Sequence, residues 1–454
     1  MHEILLQYHR VHPATWAYLS SLLTIALYFK FSRVWSVRNL DLMGLILLTP
    51  GLLMVEYGVA QGEPSLEQAG YVWLFGAMGV FLLRLLIDPM MVRRPLLEPN
   101  LSVGGLTFLG TSLLLFLMVN VVTSTLTEDD LAGSRMAEQL REGHSVPVAE
   151  NSFSRHGPGH PLVFLLPHVS TRMLAGADEA ESDETLAQRE ESRVTLYMAT
   201  ARTVAILSHV AVVLGMVFIG YRHFDNIKTG IAAATLYLLL PYTAQQTGRV
   251  DHVLPAALLV WSVASYRRPV VAGVLMGLAI GVIYYPAFLL PLWIAFYWQR
   301  GLWRFIGGVA SMIALAVVSL ARTSVDFASF IAQVQQMFGW RVPVSDPGGF
   351  WQFEGIDPVY RFPVLAAFAA LCVSLAIWPA QKNLGTLMSC SAAVTLATQF
   401  WHAHGGGLYM AWFLPLTLLT VFRPNLEDRV ALSVLGEGWL PRRRAHLAQV
   451  DQAA

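Results

Sequence analysis

Charge is scarce in this sequence. Its 454 residues include thirty lysines and arginines and thirty aspartates and glutamates, or 13% charged residues. That is half the roughly 25% of an ordinary soluble domain. A soluble chain of this length would form two or three domains, whose surface so few charges could not cover. The two charge types cancel, and zero net charge argues against a nucleic-acid partner, which calls for a basic surface. Cysteine is nearly absent. Cys372 and Cys390 both sit in apolar runs, read as small buried hydrophobes, and say nothing of redox compartment. A convincing internal repeat is also missing, which removes the pairing that many transporters show.

Apolar residues take the place of charge: 55% of the chain is hydrophobic, and the mean hydropathy is +0.52. Apolar runs lie near 14–32, 42–60, 70–88, 103–123, 195–220, 229–246, 252–266, 269–285, 286–299, 305–321, 362–379, 384–401 and 408–422. The expected fold is all-α: a polytopic membrane helical bundle of about thirteen spans. The runs between 252 and 299 are short and broken by Pro255, Pro286 and Pro291, which neighbouring helices can accommodate. Residues 1–100 are expected to form a three-span N-terminal bundle, 101–425 the core, and 426–454 a cytoplasmic tail.

Orientation follows from basic residues in short loops. Lys30, Arg33 and Arg38 follow the first run, Arg93 and Arg94 the third, Arg222 and Lys228 the fifth, and Arg267 and Arg268 the seventh. Arg300 and Arg304 follow the ninth, Lys382 the eleventh, and Arg423 with Arg442, Arg443 and Arg444 the last. Those loops are expected in the cytoplasm, with the N-terminus outside and the chain in a plasma (inner) membrane. The first run lacks an A-x-A-like cleavage site and is read as a retained span. Two large loops, 124–194 and 322–361, then face outward, and loops this long are often functional. Within the first, apolar 161–167 is too short to span and suits an interfacial helix or a re-entrant piece. Acidic 177–193 reads as a solvated face.

Several polar clusters fall on that outer side. Glu128, Asp129 and Asp130 follow the fourth run. Three adjacent carboxylates suit a divalent cation such as Mg or Mn, or a general base; a helix N-cap in T-E-D-D-L is the plain alternative. S-R-H-G-P-G-H-P-L follows, where Arg155, His156 and His160 in a tight turn suit an anionic head group such as phosphate. An ordinary surface turn is the alternative there. A zinc site from the two histidines is disfavoured by the absence of nearby cysteine, and no residue is assigned as a metal ligand. G-R-V-D-H brings Arg249, Asp251 and His252 to the mouth of a short run, as a functional group or an interfacial ion pair. Y-Y-P-A-F carries Tyr285, a belt residue or a ligand contact. W-H-A-H-G-G-G-L-Y carries His402, His404 and Tyr409, with glycines that admit a ligand or simply form a hairpin. The second loop holds Trp340, Arg341, Trp351 and Tyr360 with Asp346 and Asp357, a set suited to stacking and hydrogen-bonding a sugar.

These residues, together with the order of runs and loops from about 103 to 422, resemble the GT-C superfamily of integral-membrane glycosyltransferases. HGPGHPLVFLL at 156–166 is similar to a loop segment of the protein mannosyltransferase and aminoarabinose transferase relatives. The stretch 238–305, with PYTAQQTGRVDHVLPAALL and RRPVVAGVLMGLAIGVIYYPAFLLPL, resembles the bacterial polyprenol-phosphate-mannose-dependent mannosyltransferases. That family often has lysine before its Y-P, where this chain has Tyr284. The first three runs have no counterpart in the family core.

The resemblance implies an enzyme that moves a mannose-like hexose from a polyprenyl-phosphate donor to a glycan, lipid or protein acceptor at the outer face. It maps the catalytic acid to Asp129 or Asp130, with Asp130 favoured. Rival readings are a lipid-linked sugar transporter or flippase, and an oligosaccharide polymerase or ligase, for which Arg322, Arg341 and Arg361 would serve.

Overall fold

The computed structural model describes residues 11–91, 96–124, 126–143, 156–175, 186–337, 348–353, 356–380, 382–402 and 405–426. The side chains of 129, 173–175, 186–189, 323, 335–337 and 358 lie outside that description. Among the described residues the protein is all-helical. In chain order the helices are α1 Pro13–Tyr28, α2 Val37–Gln61, α3 Pro64–Ile87, α4 Val103–Thr123, α5 Glu128–Glu142, α6 His160–Ala175, α7 Leu186–His223, α8 Ile227–Leu239 and α9 Pro241–Gln245. There follow α10 Val250–Ala264, α11 Pro269–Val282, α12 Leu290–Tyr297, α13 Leu302–Thr323, α14 Phe327–Met337, α15 Arg361–Ile377, α16 Leu384–Ala397 and α17 Leu414–Val421.

Helix starts follow ordinary local chemistry. Ser36, Ser102, Asn226 and Asn383 each accept a backbone N–H three residues on, capping α2, α4, α8 and α16. Proline opens α3, α9 and α11, where its missing N–H costs nothing. Every expected apolar run is helical, although only five helices are long and apolar enough to cross a membrane: α2, α3, α4, α7 and α13. Six shorter apolar helices accompany them. The 15 residues of α10 reach about 22 Å, short of the roughly 30 Å hydrocarbon core. The turns at the ends of such helices therefore need internal partners for their polar groups.

One buried apolar cluster runs from Trp16 to Leu426 and includes Leu74, Leu117, Tyr237, Trp293 and Phe422. The first three helices are part of it, since α3 packs against α16. Asp88, at the end of α3, pairs with Arg423 at 2.9 Å, and both are fully buried. Arg84 lies 3.0 Å from Asp41 and 3.5 Å from Asp88, which extends the ion-pair network into α2. A second cluster gathers Val121, Leu131, Phe164, Ala201, Val250 and Val282. It seats α5 and α6 on the ends of α4, α7, α10 and α11, and that layer carries the site. The apolar stretch 161–167 is helical: it lies in α6, which packs against α5 and α7 and buries Phe164.

Candidate active site

α5 begins with Asp130 closing a capping box. Its Oδ2 accepts the Thr127 N–H at 2.9 Å and the Thr127 hydroxyl at 2.7 Å. The carboxyl is buried, and its Oδ1 faces the Arg249 Nε at 3.3 Å. The capping alternative is thus realised and leaves one carboxylate oxygen turned toward the cluster on α10. Glu128 points elsewhere: it is largely exposed and pairs with Arg135 at 2.7 Å. A three-carboxylate cation cage therefore does not form from Glu128 and Asp130, because the two side chains have separate partners. The Asp129 side chain lies outside the described residues.

The HGPGH turn is docked on the end of α11. The N–H of Gly157 donates to the Val282 carbonyl at 2.8 Å, and that of Gly159 to the Gly281 carbonyl at 2.7 Å. These bonds satisfy carbonyls that a helix end leaves without an intrahelical donor. A Cβ on Gly157 would stand 2.2 Å from the Gly281 oxygen, and one on Gly159 would stand 2.8 Å from the Gly281 carbonyl carbon. Only glycine permits this approach. Gly157→Ala is expected to lift the turn off α11 and lower the activity of the site at least tenfold with the helical content intact. Activity and circular dichroism measured on the same preparation check it; wild-type activity would show that the docking is dispensable.

Docking brings His156 and His160 together, their rings stacked with centroids 4.1 Å apart. His156 Nε2 lies 3.3 Å from Asp251 Oδ2. Asp251 sits in the first turn of α10, where a carboxylate favours the helix dipole, and its carbonyl accepts the Trp412 indole N–H at 2.9 Å. Burial, then the neighbouring His156, holds the His160 imidazole well below its ordinary pKa, so it is neutral at neutral pH.

Beside this group stands a wall of rings. His252 stacks on Tyr409 at 4.4 Å, and Tyr285 stacks on His402 at 4.6 Å. His402 lies 4.8 Å from Tyr409, and Trp412 packs against Tyr285, His402 and Tyr409. The Tyr242 hydroxyl is 2.7 Å from His252 Nδ1. The glycines beside the wall serve the backbone: Gly405 and Gly407 adopt φ of 68° and 101°, and the Gly407 N–H donates to Gln399 Oε1 at 3.1 Å. Of the two readings of that stretch, the tight loop is the one that accounts for those two glycines.

Tyr284 donates its hydroxyl to Tyr285 at 2.7 Å. Arg361, buried and donating to the Trp401 carbonyl at 3.0 Å, interacts electrostatically with both tyrosines. A cation from a distant segment thus stands near the position where the family that the sequence resembles often has lysine. The second loop contributes Trp351, whose indole donates to the Phe400 carbonyl at 3.2 Å, while Tyr360 is exposed. Arg155, Arg341, His404, Trp340 and Asp346 lie outside the described residues.

Five sequence-distant segments therefore meet: Asp130; His156 and His160; Arg249, Asp251 and His252; Tyr285; and His402 and Tyr409. Residues 193–400 match the model of Glycosyltransferase family 87. The match supports a membrane glycosyltransferase, an enzyme with a sugar donor and an acceptor. It spans Arg249, Asp251, His252, Tyr285 and Arg361, while Asp130, His156, His160 and His402 lie on either side of it. No curated protein matches the chain.

Sequence reasoning missed Tyr242, Gln399 and Trp412. Each lies in or beside an apolar run, where Tyr242 and Trp412 have the same signature as membrane-belt residues and Gln399 is a lone polar residue. The Q-Q-T-G-R-V-D-H stretch did hold one usable signal: Thr243, Gln245, Gln246 and Thr247 keep the chain largely polar between Tyr242 and Arg249, interrupted by Ala244.

Proposed function

We propose that this protein transfers a hexose from a polyprenyl phosphate to an acceptor hydroxyl at the extracytoplasmic face. The observation that carries the reading is a buried carboxylate facing an arginine, beside a histidine–aspartate group and a wall of rings, at helix ends adjoining the family 87 match.

Asp130 is the base. The acceptor oxygen attacks the anomeric carbon, its proton passes to the carboxylate, and the bond from that carbon to the phosphate oxygen breaks with inversion. The capping box holds Oδ2, which leaves Oδ1 for the acceptor once Arg249 moves to the phosphate. Negative charge develops on the departing polyprenyl phosphate. Arg249, whose side chain is partly exposed, with His156, His160, His252 and Arg361, supplies donors and positive charge for it. The ring wall of Tyr285, His402, Tyr409 and Trp412 gives the sugar apolar faces to stack on. Arg155, Arg341 and His404, which lie outside the described residues, are further proposed substrate contacts.

Membranes containing the protein, given radiolabelled polyprenyl-phosphate mannose, glucose and arabinose in parallel, test this. Label is expected to reach an acceptor from one donor, and to stop in an Asp129→Asn/Asp130→Asn double variant. Transfer from none of the three, with folded protein in the membrane, would overturn the donor class and return weight to a transporter or a ligase.

A further inference from the structure

The group formed by His156, His160 and Asp251 has a property that phosphate binding alone does not account for. One ligand-type atom from each residue lies within 4.8 Å of the others, and all three residues are buried. His160 is 2% exposed, yet neither of its ring nitrogens has a hydrogen-bond partner among the described residues. A buried imidazole with two unmet nitrogens is costly, and native interiors ordinarily satisfy such groups with protein, water or an ion. The surroundings hold the ring in place. Its own backbone N–H donates to the Gly157 carbonyl at 3.1 Å, and Phe164 packs on it from one turn along α6.

We propose that His156, His160 and Asp251 bind a zinc-class divalent cation through two imidazoles and one carboxylate, with an open position toward the phosphate of the donor. Zinc takes nitrogen at about 2.0–2.1 Å and carboxylate oxygen at similar distances, which puts two ligands on a tetrahedral ion about 3.4 Å apart. The His156–Asp251 pair already stands at 3.3 Å. Three protein ligands and one open position is the pattern of zinc sites that act on a substrate. The nitrogen content argues against magnesium and calcium, which prefer all-oxygen cages.

The site is also pre-built. Both histidines sit on a turn that two backbone hydrogen bonds clamp to α11, and Asp251 is fixed in the first turn of α10 with its carbonyl held by Trp412. Nearby positive charge is partly committed, since Arg249 faces Asp130. The role of the open position rests on the transfer reading above; cation binding does not.

The test uses the full-length protein in detergent, stripped with a chelator, dialysed and reloaded with Zn2+ or Co2+. Elemental analysis is expected to find one Zn2+ per chain, and Co2+ to give the visible absorption of a four-coordinate nitrogen–oxygen site that Zn2+ displaces. His160→Gln and Asp251→Asn should each lose the ion, whereas His168→Gln, a buried histidine two turns further along α6, should keep it. Substoichiometric metal, or metal retained in His160→Gln, would overturn the site. The wild-type Co2+ spectrum decides the matter if a variant fails to fold. Inorganic phosphate should shift that spectrum; no shift would overturn the open position. Metal binding without sugar transfer would leave the site standing and remove the proposed function. Chelator-resistant transfer by metal-free protein would leave the proposed function standing and remove the ion's part in it.

Discussion

Asp130→Asn should abolish sugar transfer while leaving the helix it caps in place. The expected loss is at least a hundredfold, the lower end of what a positioned general base contributes. The variant is informative because Asp130 does two things. Its Oδ2 holds the Thr127 N–H and hydroxyl, and its Oδ1 faces Arg249. Asparagine has one carbonyl oxygen, which can still accept the Thr127 N–H, so the cap survives at a cost of about 1 kcal/mol or less. What it cannot do is take a proton from an attacking hydroxyl. A capping role alone predicts a slightly less stable protein with near-normal kcat; a base predicts normal expression with kcat lost and donor KM little changed. Full activity would move the base to Asp129, which the resemblance leaves equally open, and Asp129→Asn made alongside would show it.

Asp88→Ala should be the most destabilising single change outside the site. Asp88 and Arg423 are both fully buried and 2.9 Å apart, joining the end of α3 to the segment after α17. Removing the carboxylate leaves a buried guanidinium without that partner, and breaking a buried pair from one side typically costs about 3–5 kcal/mol. Arg84 does not compensate: it is another cation, and it keeps Asp41 at 3.0 Å. Arg423→Met is milder, because Asp88 retains Arg84 at 3.5 Å. The double variant Asp88→Ala/Arg423→Met should recover much of the loss, since no buried charge is stranded. The thermal midpoint of detergent-solubilised protein, followed by fluorescence-detected size exclusion, checks the order. An Asp88→Ala midpoint equal to wild type would show that the pair holds nothing together.

Both predictions depend on partners that sequence order conceals. Asp130 and Arg249 are more than a hundred residues apart, and Asp88 and Arg423 more than three hundred. Each of the four is visible as an ionisable residue beside an apolar run, which is why the polar clusters could be found. The pairings could not. Charged residues near helix ends look alike whether they face water, lipid head groups or one another, and only packing distinguishes these. The same holds for Arg361, which stands near Tyr284 and Tyr285 although the sequence around those tyrosines has no basic residue of its own.

The sequence by itself determined the class of the protein: an all-helical membrane bundle whose apolar runs all become helices, with polar chemistry concentrated in a few short segments. Composition and periodicity are local quantities, and helix formation in lipid satisfies the backbone groups within its own segment except at the ends. Tertiary structure alone decided which of those segments meet. The contact between the HGPGH turn and α11, the histidine–aspartate group and the ring wall all depend on the close approach of helix ends. That approach comes from side-chain packing summed over the bundle, a quantity that no single segment carries.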